Sequence, residues 1–411
     1  NTFNSYITPQ ITVVAGAPVK LQAIILPEES ELPGSSTGKQ GTVANKKAGQ
    51  SFNVRVNLVD ANWNKVTTTG YSKQMPDVQV QTPRDNYDVQ PDTKTLVSGS
   101  ETFGVTLKTA CTQHVYAVDY DTYTPNYTAN YSSTFTVIPT NVAGLQLLCP
   151  GETEDPGNGT YPTGGKSGAP SNQTAGIKFT VTVKLVDAYF NKVNGSPDVW
   201  IETTDIYDVQ PSTGPLNTGS QTYQPMLVTA STASLKAMST YYTSSQSPDF
   251  TVVYSTPTKL QVILPGETSV PGKPPYTDNT GGKTGTPSTK IAGEGFYITV
   301  YATDDFWNKV VDNPQGAPNV RITSVDPLMT SSLLPGDNTL NEGYGIFNMS
   351  NGLRTAWSTN TVCALDIDGS SPHLAASTST IVRIYPKPAY YLQFSQYPST
   401  VTAGVPFSMR L

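Results

Sequence analysis

One short pattern recurs along this chain of 411 residues and limits what the chain can fold into. Ala-Gly-x-x-Phe occurs four times, beginning at positions 48, 175, 292 and 403. The intervals of about 110 to 130 residues are too long for one turn of a solenoid and suit a whole small domain. The pattern therefore predicts tandem domains of one kind.

Apolar residues occupy alternate positions after each Ala-Gly, and polar or aromatic residues stand between them. They are Phe52, Val54, Val56 and Leu58; then Phe179, Val181, Val183 and Leu185; then Phe296, Ile298, Val300 and Ala302; and finally Phe407, Met409 and Leu411. A period of two places one side of a strand on the core and the other in solvent. Each copy is therefore predicted to contain a half-buried strand of an antiparallel sheet.

Shorter alternating segments follow in each copy, and about six or seven short strands per copy are typical of a two-sheet sandwich. The excess of Tyr over Phe, 23 against 12, and the 33 Gly and 33 Pro favour many strands joined by turns. We predict an all-β chain of tandem antiparallel β-sandwiches in a rod-like array. The predicted ranges are 1–17 (closing strand of a preceding repeat), 18–139, 140–255 and 256–386 (repeats 1 to 3), and 387–411 (start of a further, truncated repeat).

Two kinds of connection are predicted. The segment 151–174 is too rich in Gly, Pro and Ser to pack a core, so it should be an extended excursion over the surface or a poorly ordered loop. The joins between repeats are short and contain Pro, which favours a stiff rod over a flexible string. The incomplete copies at both ends lead us to expect a window from a longer array.

A corner motif follows the main strand of each copy: DANWNKV at 60–66, DAYFNKV at 187–193 and DDFWNKV at 304–310. Asp60, Asn62 and Asn64 have the alternate spacing of calcium ligands, but Tyr189 and Phe306 replace Asn62 in the other copies, so they are a weak metal candidate. The favoured hypothesis is a structural turn in which Asp accepts backbone N–H bonds and Asn takes the left-handed conformation. Its residues are Asp60, Asn64, Asp187, Asn191, Asp304 and Asn308.

The order of these elements, with TLKTACTQHVYAVD at 106–119 after the turn, resembles tandem bacterial immunoglobulin-like domains, the modules of invasin-like adhesins and other large surface proteins. In that family the turn usually reads Asp-x-x-Gly-Asn-Pro-Val. This chain has Trp63, Phe190 and Trp307 in place of the Gly, and Lys65, Lys192 and Lys309 in place of the Pro. The resemblance implies that the predicted β-sandwiches are immunoglobulin-like, so that the fold class is all-β with tandem antiparallel immunoglobulin-like β-sandwiches, and it implies an extracellular or cell-surface location.

Reactive motifs are sparse. The net charge of -6 and the scattered Lys and Arg argue against nucleic acid, and no apolar run is long enough for a transmembrane segment. His114 and His373 lack metal-ligand spacing, and no nucleophile elbow or phosphate loop is present, so neither an enzyme nor a cofactor is expected. Cys111, Cys149 and Cys363 are predicted to be single thiols, although the sequence leaves a Cys111–Cys149 bridge open.

Two groups of residues are candidates for surface functions. A Tyr-rich segment of repeat 1 predicts a possible interaction surface, because Tyr gives amphipathic contact area; its residues are Tyr116, Tyr120, Tyr123, Tyr127 and Tyr131. Asn-x-Ser/Thr sites for possible glycosylation occur about as often as chance predicts in a chain this rich in Asn, Ser and Thr. They are Asn126, Asn130, Asn158, Asn172, Asn194 and Asn348.

Scaffold residues thus recur along the chain while no reactive set does. We therefore expect a structural segment of a long extracellular repeat protein, in a fibre, stalk or surface layer, with copies of itself or neighbouring surface proteins as partners. The alternative is an adhesin that binds glycan or protein through loop aromatics. A third hypothesis is a set of accessory domains of a large secreted enzyme.

Overall fold

Most strands in the described residues belong to small antiparallel sheets, and within each repeat these sheets pack into a sandwich. The computed structural model describes residues 5, 7–69, 74–314, 316–357, 359–369 and 373–411. The described part of the chain includes no helix with the length and apolar character of a membrane span. The predicted all-β fold class is confirmed.

Repeat 1 contains a three-stranded sheet β1-β5-β8 and a four-stranded sheet β11-β10-β6-β7, while β12 lies between β4 and β9. The strands are β1 (Lys20–Leu26), β2 (Glu29–Glu31), β3 (Lys39–Gly41), β4 (Lys46–Lys47), β5 (Ser51–Val59), β6 (Asp77–Gln81), β7 (Lys94–Thr95), β8 (Ser100–Thr106), β9 (Thr112–Gln113), β10 (Tyr116–Asp119), β11 (Asn130–Tyr131) and β12 (Phe135–Ile138). The closing strand β12 pairs parallel with β4 and antiparallel with β9. This order is that of an immunoglobulin-like sandwich.

Repeat 2 has the same order, with sheets β13-β17-β20, β19-β18-β22-β23 and β16-β24-β21. Its strands are β13 (Val142–Leu148), β14 (Glu152–Thr160), β15 (Thr163–Gly168), β16 (Gln173–Thr174), β17 (Val181–Asp187), β18 (Asp198–Thr203), β19 (Gly214–Pro215), β20 (Ser220–Tyr223), β21 (Thr232–Ala233), β22 (Leu235–Met238), β23 (Ser245–Gln246) and β24 (Phe250–Val253).

Repeat 3 follows with sheets β25-β29-β32 and β31-β30-β33-β34 and the parallel pair β28-β35. Its strands are β25 (Lys259–Ile263), β26 (Glu267–Ser269), β27 (Lys283–Gly285), β28 (Lys290–Ile291), β29 (Phe296–Thr303), β30 (Asn319–Ser324), β31 (Asn338–Thr339), β32 (Tyr344–Met349), β33 (Val362–Asp366), β34 (Ser377–Thr378) and β35 (Ile384–Tyr385).

Each sandwich encloses its own buried apolar cluster, and the three clusters span residues 21–137, 145–252 and 260–384. The alternating apolar residues predicted for the three main strands are all buried. In repeat 1 the ring of Phe52 meets that of Phe135 edge to face, with centroids 5.6 Å apart, which joins the main strand to the closing strand. The period of two therefore identified the core face correctly.

The predicted fragments at the two ends form no strands in the described residues. Residues 5 and 7–19 precede β1 without strand pairing, and residues 386–411 are exposed, with only the isolated bridge between Gln396 and Arg410. A strand without a partner sheet does not bury its apolar side, so the alternation of Phe407 and Met409 does not produce a strand here. The exact repeat boundaries stay a prediction.

The Gly- and Pro-rich excursion is an ordered β-hairpin in every repeat, formed by β2 and β3, β14 and β15, and β26 and β27. The alternative of a poorly ordered loop is therefore wrong. The hairpin lies over the outer face of the main sheet and buries Asn57, which the period of two predicts to be in solvent. Asn57 Nδ2 donates to Gln22 Oε1 and Glu31 Oε1, both at 3.0 Å.

A buried glutamate holds each hairpin on its sandwich, which sequence reasoning missed. Glu152 Oε2 accepts from Cys149 N at 2.9 Å, and Glu152 Oε1 lies 2.7 Å from Lys166 Nζ. Glu29 and Glu267 make the equivalent bonds in the other repeats. A carboxylate that accepts a backbone bond and faces an ammonium can be buried at modest cost. The Pro-x-Glu that follows each opening strand was the available signal.

Candidate functional site: the joint between repeats

The Asp of the corner motif organises the turn through its side chain. Asp60 Oδ1 accepts from the backbone N of Asn62 and Asn64, both at 2.9 Å, and Asp60 Oδ2 accepts from Asn64 Nδ2 at 3.0 Å. Gly16 N donates to Asp60 Oδ2 at 2.8 Å, so the same carboxylate binds the segment that leads into the repeat. Asp187 and Asp304 make the equivalent bonds.

The left-handed residue of the corner is the aromatic and not the Asn, which corrects the sequence hypothesis. Trp63 has φ 67°, Phe190 has φ 63° and Trp307 has φ 68°. These are the positions where the resembling family carries Gly, the residue that takes positive φ without strain. A side chain at such a φ costs on the order of 1–2 kcal/mol, so packing of the ring must offset the strain.

The aromatic ring of the corner packs on a glycine of the hairpin. A Cβ placed on Gly38 would lie 2.2 Å from the ring of Trp63, and Gly282 relates to Trp307 in the same way. Lys20 Nζ lies 3.4 Å from the ring centroid of Trp63, which adds a cation–π contact of about 1 kcal/mol.

In repeat 2 the corner ring also packs on a glycine of the hairpin, but a tyrosine lies beside the ring instead of a lysine. A Cβ placed on Gly165 would lie 2.0 Å from the ring of Phe190, whose centroid is 5.7 Å from that of Tyr161. The corner aromatic thus fastens the hairpin to the sandwich in every repeat.

The Asn of the corner crosses to the preceding repeat. Asn191 Nδ2 donates to Lys108 O at 2.8 Å, and Asn191 Oδ1 accepts from Ala110 N at 2.7 Å. At the next joint Asn308 makes the same pair of bonds to Val228 O and Ala230 N, both at 2.8 Å. Both Asn side chains are buried. The turn predicted as an internal scaffold is therefore also a joint between neighbouring repeats.

A second contact at each joint is made by the residue that replaces Asn62. A Cβ placed on Gly49 would lie 2.2 Å from the ring of Tyr189, and a Cβ on Gly176 would lie 2.0 Å from the ring of Phe306. These glycines belong to the repeated Ala-Gly. The aromatic of one repeat thus packs directly on the backbone of the repeat before it.

A third contact is made by a Pro-Gly pair of the hairpin, which is Pro156-Gly157 within β14 of repeat 2 and Pro271-Gly272 after β26 of repeat 3. Gly157 lies against Tyr87 and Thr109 of repeat 1, where a Cβ would be 2.4 Å from Thr109 Oγ1. Tyr87 Oη also donates to Asp155 Oδ2 at 2.6 Å across this joint. The equivalent glycine of repeat 3, Gly272, lies against Thr229 and Tyr207 of repeat 2 in the same way.

The receiving segment is itself held by a buried carboxylate. Asp85 Oδ2 accepts from Lys108 N at 2.5 Å and from Thr109 N at 2.9 Å, and Asp85 Oδ1 accepts from Thr109 Oγ1. Asp205 and Asp326 make the same set of bonds in repeats 2 and 3. Asp85 and Asp205 therefore hold in place the backbone segments to which Asn191 and Asn308 bind.

The geometry of the corner argues against a cation there. The weak candidate needs Asp60, Asn62 and Asn64 together, but the Asn62 side chain is exposed and the Asp60 carboxylate is surrounded by N–H donors. Cations need oxygen lone pairs that face them. We expect that EDTA leaves the midpoint of thermal unfolding unchanged and that added Ca²⁺ does not raise it; a large loss in EDTA that Ca²⁺ restores would contradict this.

The pKa values of the corner carboxyls in repeats 1 and 3 are shifted in opposite directions. Burial opposes ionisation of Asp60, but hydrogen bonds from Asn64, Gly16 and Asn62 outweigh it and lower the pKa from 3.8 to about 2. At Asp304, on which repeat 2 packs, burial raises the pKa despite the equivalent bonds.

Asp60 should therefore stabilise repeat 1 above about pH 4, and this contribution is lost as the pH falls towards about 2. The contribution of Asp304 is present below about pH 4 and is lost as the pH rises through its raised pKa. Carboxyl ¹³C NMR against pH measures both. A midpoint for Asp60 above that for Asp304 would contradict this order.

Only some of the side chains in the Tyr-rich segment are exposed. Tyr120 and Tyr123 are about three-fifths exposed, at 59% and 60%, and Tyr131 stacks on Tyr116 with ring centroids 4.3 Å apart. Tyr127 is only 7% exposed and belongs to the core of repeat 1, so its assignment to an interaction surface is wrong. The sequence shows no period that separates Tyr127 from its neighbours, because the turn between β10 and β11 is irregular.

The six Asn-x-Ser/Thr sites differ in how exposed their Asn residues are. Asn126, Asn172, Asn194 and Asn348 are exposed. Asn130 is half-buried, and its Oδ1 accepts from Ala23 N at 3.1 Å. Asn158 is half-buried as well and donates to Asp155 Oδ2 at 2.7 Å. The amides of Asn130 and Asn158 thus already have structural bonds.

The three cysteines are free thiols, so Cys111 and Cys149 form no bridge in this structure. Burial raises the pKa of the Cys149 thiol to about 12, which makes it a poor nucleophile.

The structure brings together a group of possible metal ligands that the sequence did not predict. The ligand atoms of Asp366, Asp368 and His373 lie within 4.8 Å of one another in repeat 3. The signal was the Asp-x-Asp that ends β33. Asp366 Oδ2 already accepts from Leu374 N at 2.9 Å, as Asp119 Oδ2 accepts from Tyr127 N at 2.8 Å in repeat 1. The Asp of this pair therefore closes a turn in both repeats.

No family model matches the sequence, and no curated protein matches it either. Solved structures do resemble it. Invasin, described as a bacterial integrin-binding protein, is 13% identical, and the match covers 90% of this chain and 60% of invasin with a TM-score of 0.27. The D0-D1 domain of intimin is 14% identical, and the match covers 51% of this chain and 93% of that one with a TM-score of 0.20.

Domains 4-9 of the surface layer protein SbsC are 14% identical, and the match covers 90% of this chain and 48% of that one with a TM-score of 0.19. The chain thus spans 60% of the invasin chain and about half of this SbsC chain. The fold itself follows from the strand order of each repeat. The chain is a tandem series of immunoglobulin-like sandwiches, and the predicted fold is therefore confirmed.

Proposed function

We propose that this chain is a stiff structural segment of an extracellular or cell-surface repeat protein, of the kind that builds a fibre, stalk or surface layer. The observation that carries the proposal is that one joint is built twice with the same bonds. Asn191 and Asn308 each bind a carbonyl and an N–H of the preceding repeat. Repetition of a joint, rather than of a reactive site, is typical of a scaffold.

Stiffness follows from the number and spread of the contacts. Each joint has an Asn that forms hydrogen bonds, an aromatic ring on a glycine, and the glycine of a hairpin Pro-Gly pair against a Thr and a Tyr. Three separated contacts oppose both bending and twisting, whereas one contact would allow a hinge. The short link is held as well, because Thr140 N donates to Asp187 Oδ2 at 2.9 Å.

The proposal predicts one extended shape for the isolated chain. Small-angle X-ray scattering at high dilution should give a maximum dimension and a cross-section that a single arrangement of the three repeats reproduces. Electron microscopy of the native material should then show the chain within a regular filament, stalk or lattice. A broad distribution of shapes for the dilute monomer would refute a stiff segment.

A second candidate function, an adhesin, is favoured by one feature of repeat 3. The outward side of β29 and β32 carries aromatic and apolar side chains, where the equivalent positions of repeats 1 and 2 are all polar. These residues are Tyr297, Tyr301, Tyr344 and Ile346; their counterparts are Asn53, Asn57, Ser100 and Thr102, and Thr180, Lys184, Ser220 and Thr222. Tyr faces of this kind suit sugar rings and protein partners.

A glycan array tests the adhesin candidate. Tyr297→Asn and Ile346→Thr give repeat 3 the polar residues of repeat 1, and both side chains are exposed, so the fold should survive. Binding that these changes abolish and that Tyr120→Ser leaves intact would support repeat 3 as the adhesive surface. Absence of binding, or binding that survives both changes, would count against it.

A further inference from the structure

One Asn-x-Ser/Thr site lies on the aromatic outward face of repeat 3. Asn348 stands on β32, and Ser350 follows where the strand ends in a turn. β32 is an edge strand of its sheet, and the side chains of Asn348 and Ile346 point outward on the same face. Asn348 and Ser350 are both exposed. The two residues that define the site are therefore open to a modifying enzyme.

The side-chain amide of Asn348 has no structural role in the fold. Within the described part of the chain it makes no hydrogen bond. Two other Asn-x-Ser/Thr sites differ, because Asn130 accepts from Ala23 N and Asn158 donates to Asp155 Oδ2. A bulky group on either of these half-buried amides would disturb its surroundings. A bulky group on Asn348 would displace only water.

An exposed tyrosine stands directly across from Asn348. β29 and β32 are antiparallel, and their register pairs Tyr297 with Asn348. Directly opposed side chains have Cβ atoms about 4.5–5.5 Å apart. Tyr297 is 62% exposed, and Ile346, two residues before Asn348 on the same strand, is 56% exposed. A group attached to Asn348 would therefore lie against a tyrosine ring and a branched aliphatic side chain.

The apolar outward face and the Asn-x-Ser/Thr site occur together in repeat 3 and are both missing from the same place in the other two repeats. The equivalent of Asn348 in repeat 1 is Gly104, which pairs with Asn53. In repeat 2 the register of β17 and β20 continues to Thr180 and Gln224. Polar outward residues thus accompany a position that has no Asn. The aromatic residues and the Asn of repeat 3 therefore differ from the other repeats as a set.

The other three exposed Asn-x-Ser/Thr sites lie in irregular segments. Asn126, Asn172 and Asn194 are outside the strands that the structure describes. A strand register that holds a tyrosine opposite the Asn is therefore particular to Asn348. The number of Asn-x-Ser/Thr sites in the chain matches chance, so this register distinguishes Asn348, and the motif by itself does not.

A repeat that follows repeat 3 in a longer chain would leave this face open. Repeats 1 and 2 are each followed by a docked repeat, and the equivalents of Tyr297 and Asn348 in them are exposed all the same. These equivalents are Asn53 and Gly104 in repeat 1, and Thr180 and Gln224 in repeat 2. The exposure of Tyr297 and Asn348 is therefore a property of the sandwich and does not arise from the end of the chain.

We propose that Asn348 carries an N-linked glycan whose first sugar packs on Tyr297 and Ile346. The co-reactant is a sugar activated as a phosphate ester, and a glycosyltransferase of the producing cell joins the two. A bond forms from Asn348 Nδ2 to C1 of the sugar, the bond from C1 to the phosphate oxygen breaks with its electron pair on the phosphate, and the amide proton passes to a base of the transferase.

The chemistry of a sugar suits this face. One side of a sugar ring presents C–H groups, and a tyrosine ring gives such a surface an amphipathic contact. The glycan would thus cover an apolar patch that is otherwise in water. The proposal goes beyond the stiff segment and shares with it only the extracellular or cell-surface location.

Glycopeptide mass spectrometry of the native protein tests the attachment. We expect the peptide that contains Asn348 to carry added sugar mass. In the producing cell, Ser350→Ala should abolish the addition, whereas Ser350→Thr keeps the Asn-x-Ser/Thr site and should retain it. Ser350 is exposed, so both variants should fold. An unmodified Asn348 in the native protein would overturn the proposal, and glycan-array binding by that unmodified protein would favour the adhesin candidate instead.

Nitration by tetranitromethane tests the packing of the glycan. In the glycosylated protein Tyr297 should react several-fold more slowly than in Ser350→Ala, because the sugar covers its ring. Tyr120 of repeat 1, which is 59% exposed, is the internal control and should react equally in both proteins. Equal reactivity of Tyr297 in the two proteins would overturn its contact with the sugar. Neither measurement involves the joints, so the shape of the dilute monomer tests the stiff segment separately.

Discussion

Replacement of Asn191 by alanine is expected to loosen two repeats at once. The change removes both hydrogen bonds to repeat 1 and those to Asp187, so it leaves Lys108 O, Ala110 N and part of a buried carboxylate without partners. Each unsatisfied buried group costs about 1–3 kcal/mol, so we expect a loss of about 2–4 kcal/mol in the free energy of unfolding. The orientation of repeat 1 against repeat 2 should broaden.

Hydrogen exchange measured by mass spectrometry would show this directly. Faster exchange is expected both in residues 106–113 of repeat 1 and in residues 187–193 of repeat 2, and small-angle scattering should show a wider range of shapes. Asn64→Ala is the matched control, because Asn64 makes the same bonds to Asp60. It should loosen only the corner of repeat 1. Equal effects of the two changes on the shape of the chain would contradict a joint at Asn191.

A methyl group on Gly176 is expected to force repeats 2 and 3 apart. The added Cβ would lie 2.0 Å from the ring of Phe306, far inside van der Waals contact, and Gly176 has φ 78°. The ring must move, and Phe306 belongs to the same turn as Asn308, so the hydrogen bonds to repeat 2 should weaken with it. We expect a loss of about 3 kcal/mol or more, from clash and backbone strain together.

Gly293→Ala separates these two causes. Gly293 has the same φ of 78°, but the nearest atom to its added Cβ is the flexible end of Lys387 at 3.5 Å. The control should therefore show only the backbone strain, about 1 kcal/mol. Differential scanning calorimetry measures both variants at high dilution. A Gly293→Ala loss as large as that of Gly176→Ala would mean that backbone strain, and not the joint, accounts for the effect.

A comparison of the three copies predicts some features of the corner motif and not others. Three copies placed Asp60, Asp187 and Asp304 at the end of a strand, and the same comparison dismissed Asn62 as a ligand. It could not show that Trp63 rather than Asn64 is left-handed. That choice depends on a hairpin glycine that receives the ring, and this glycine lies 25 residues before Trp63 in the chain, outside any local pattern.

The Tyr-rich segment shows the same limit on the surface of repeat 1. Tyr123 and Tyr127 have similar sequence surroundings, yet one is exposed and the other is in the core. Irregular turns have no period, so nothing in the sequence predicts which side chain turns inward. The buried position of Asn57 has a related cause, because the hairpin that covers it belongs to a separate segment.

The sequence by itself determined the class of fold and the inward side of the main strands. Residues such as Val54, Val181 and Ile298 are buried because backbone geometry sends alternate side chains to opposite sides, which is a local property. Only the tertiary structure decided that Asn191 binds residues 81 and 83 positions away, across a boundary between sandwiches. Such a bond depends on how two folded surfaces meet, and no periodicity within one strand records that.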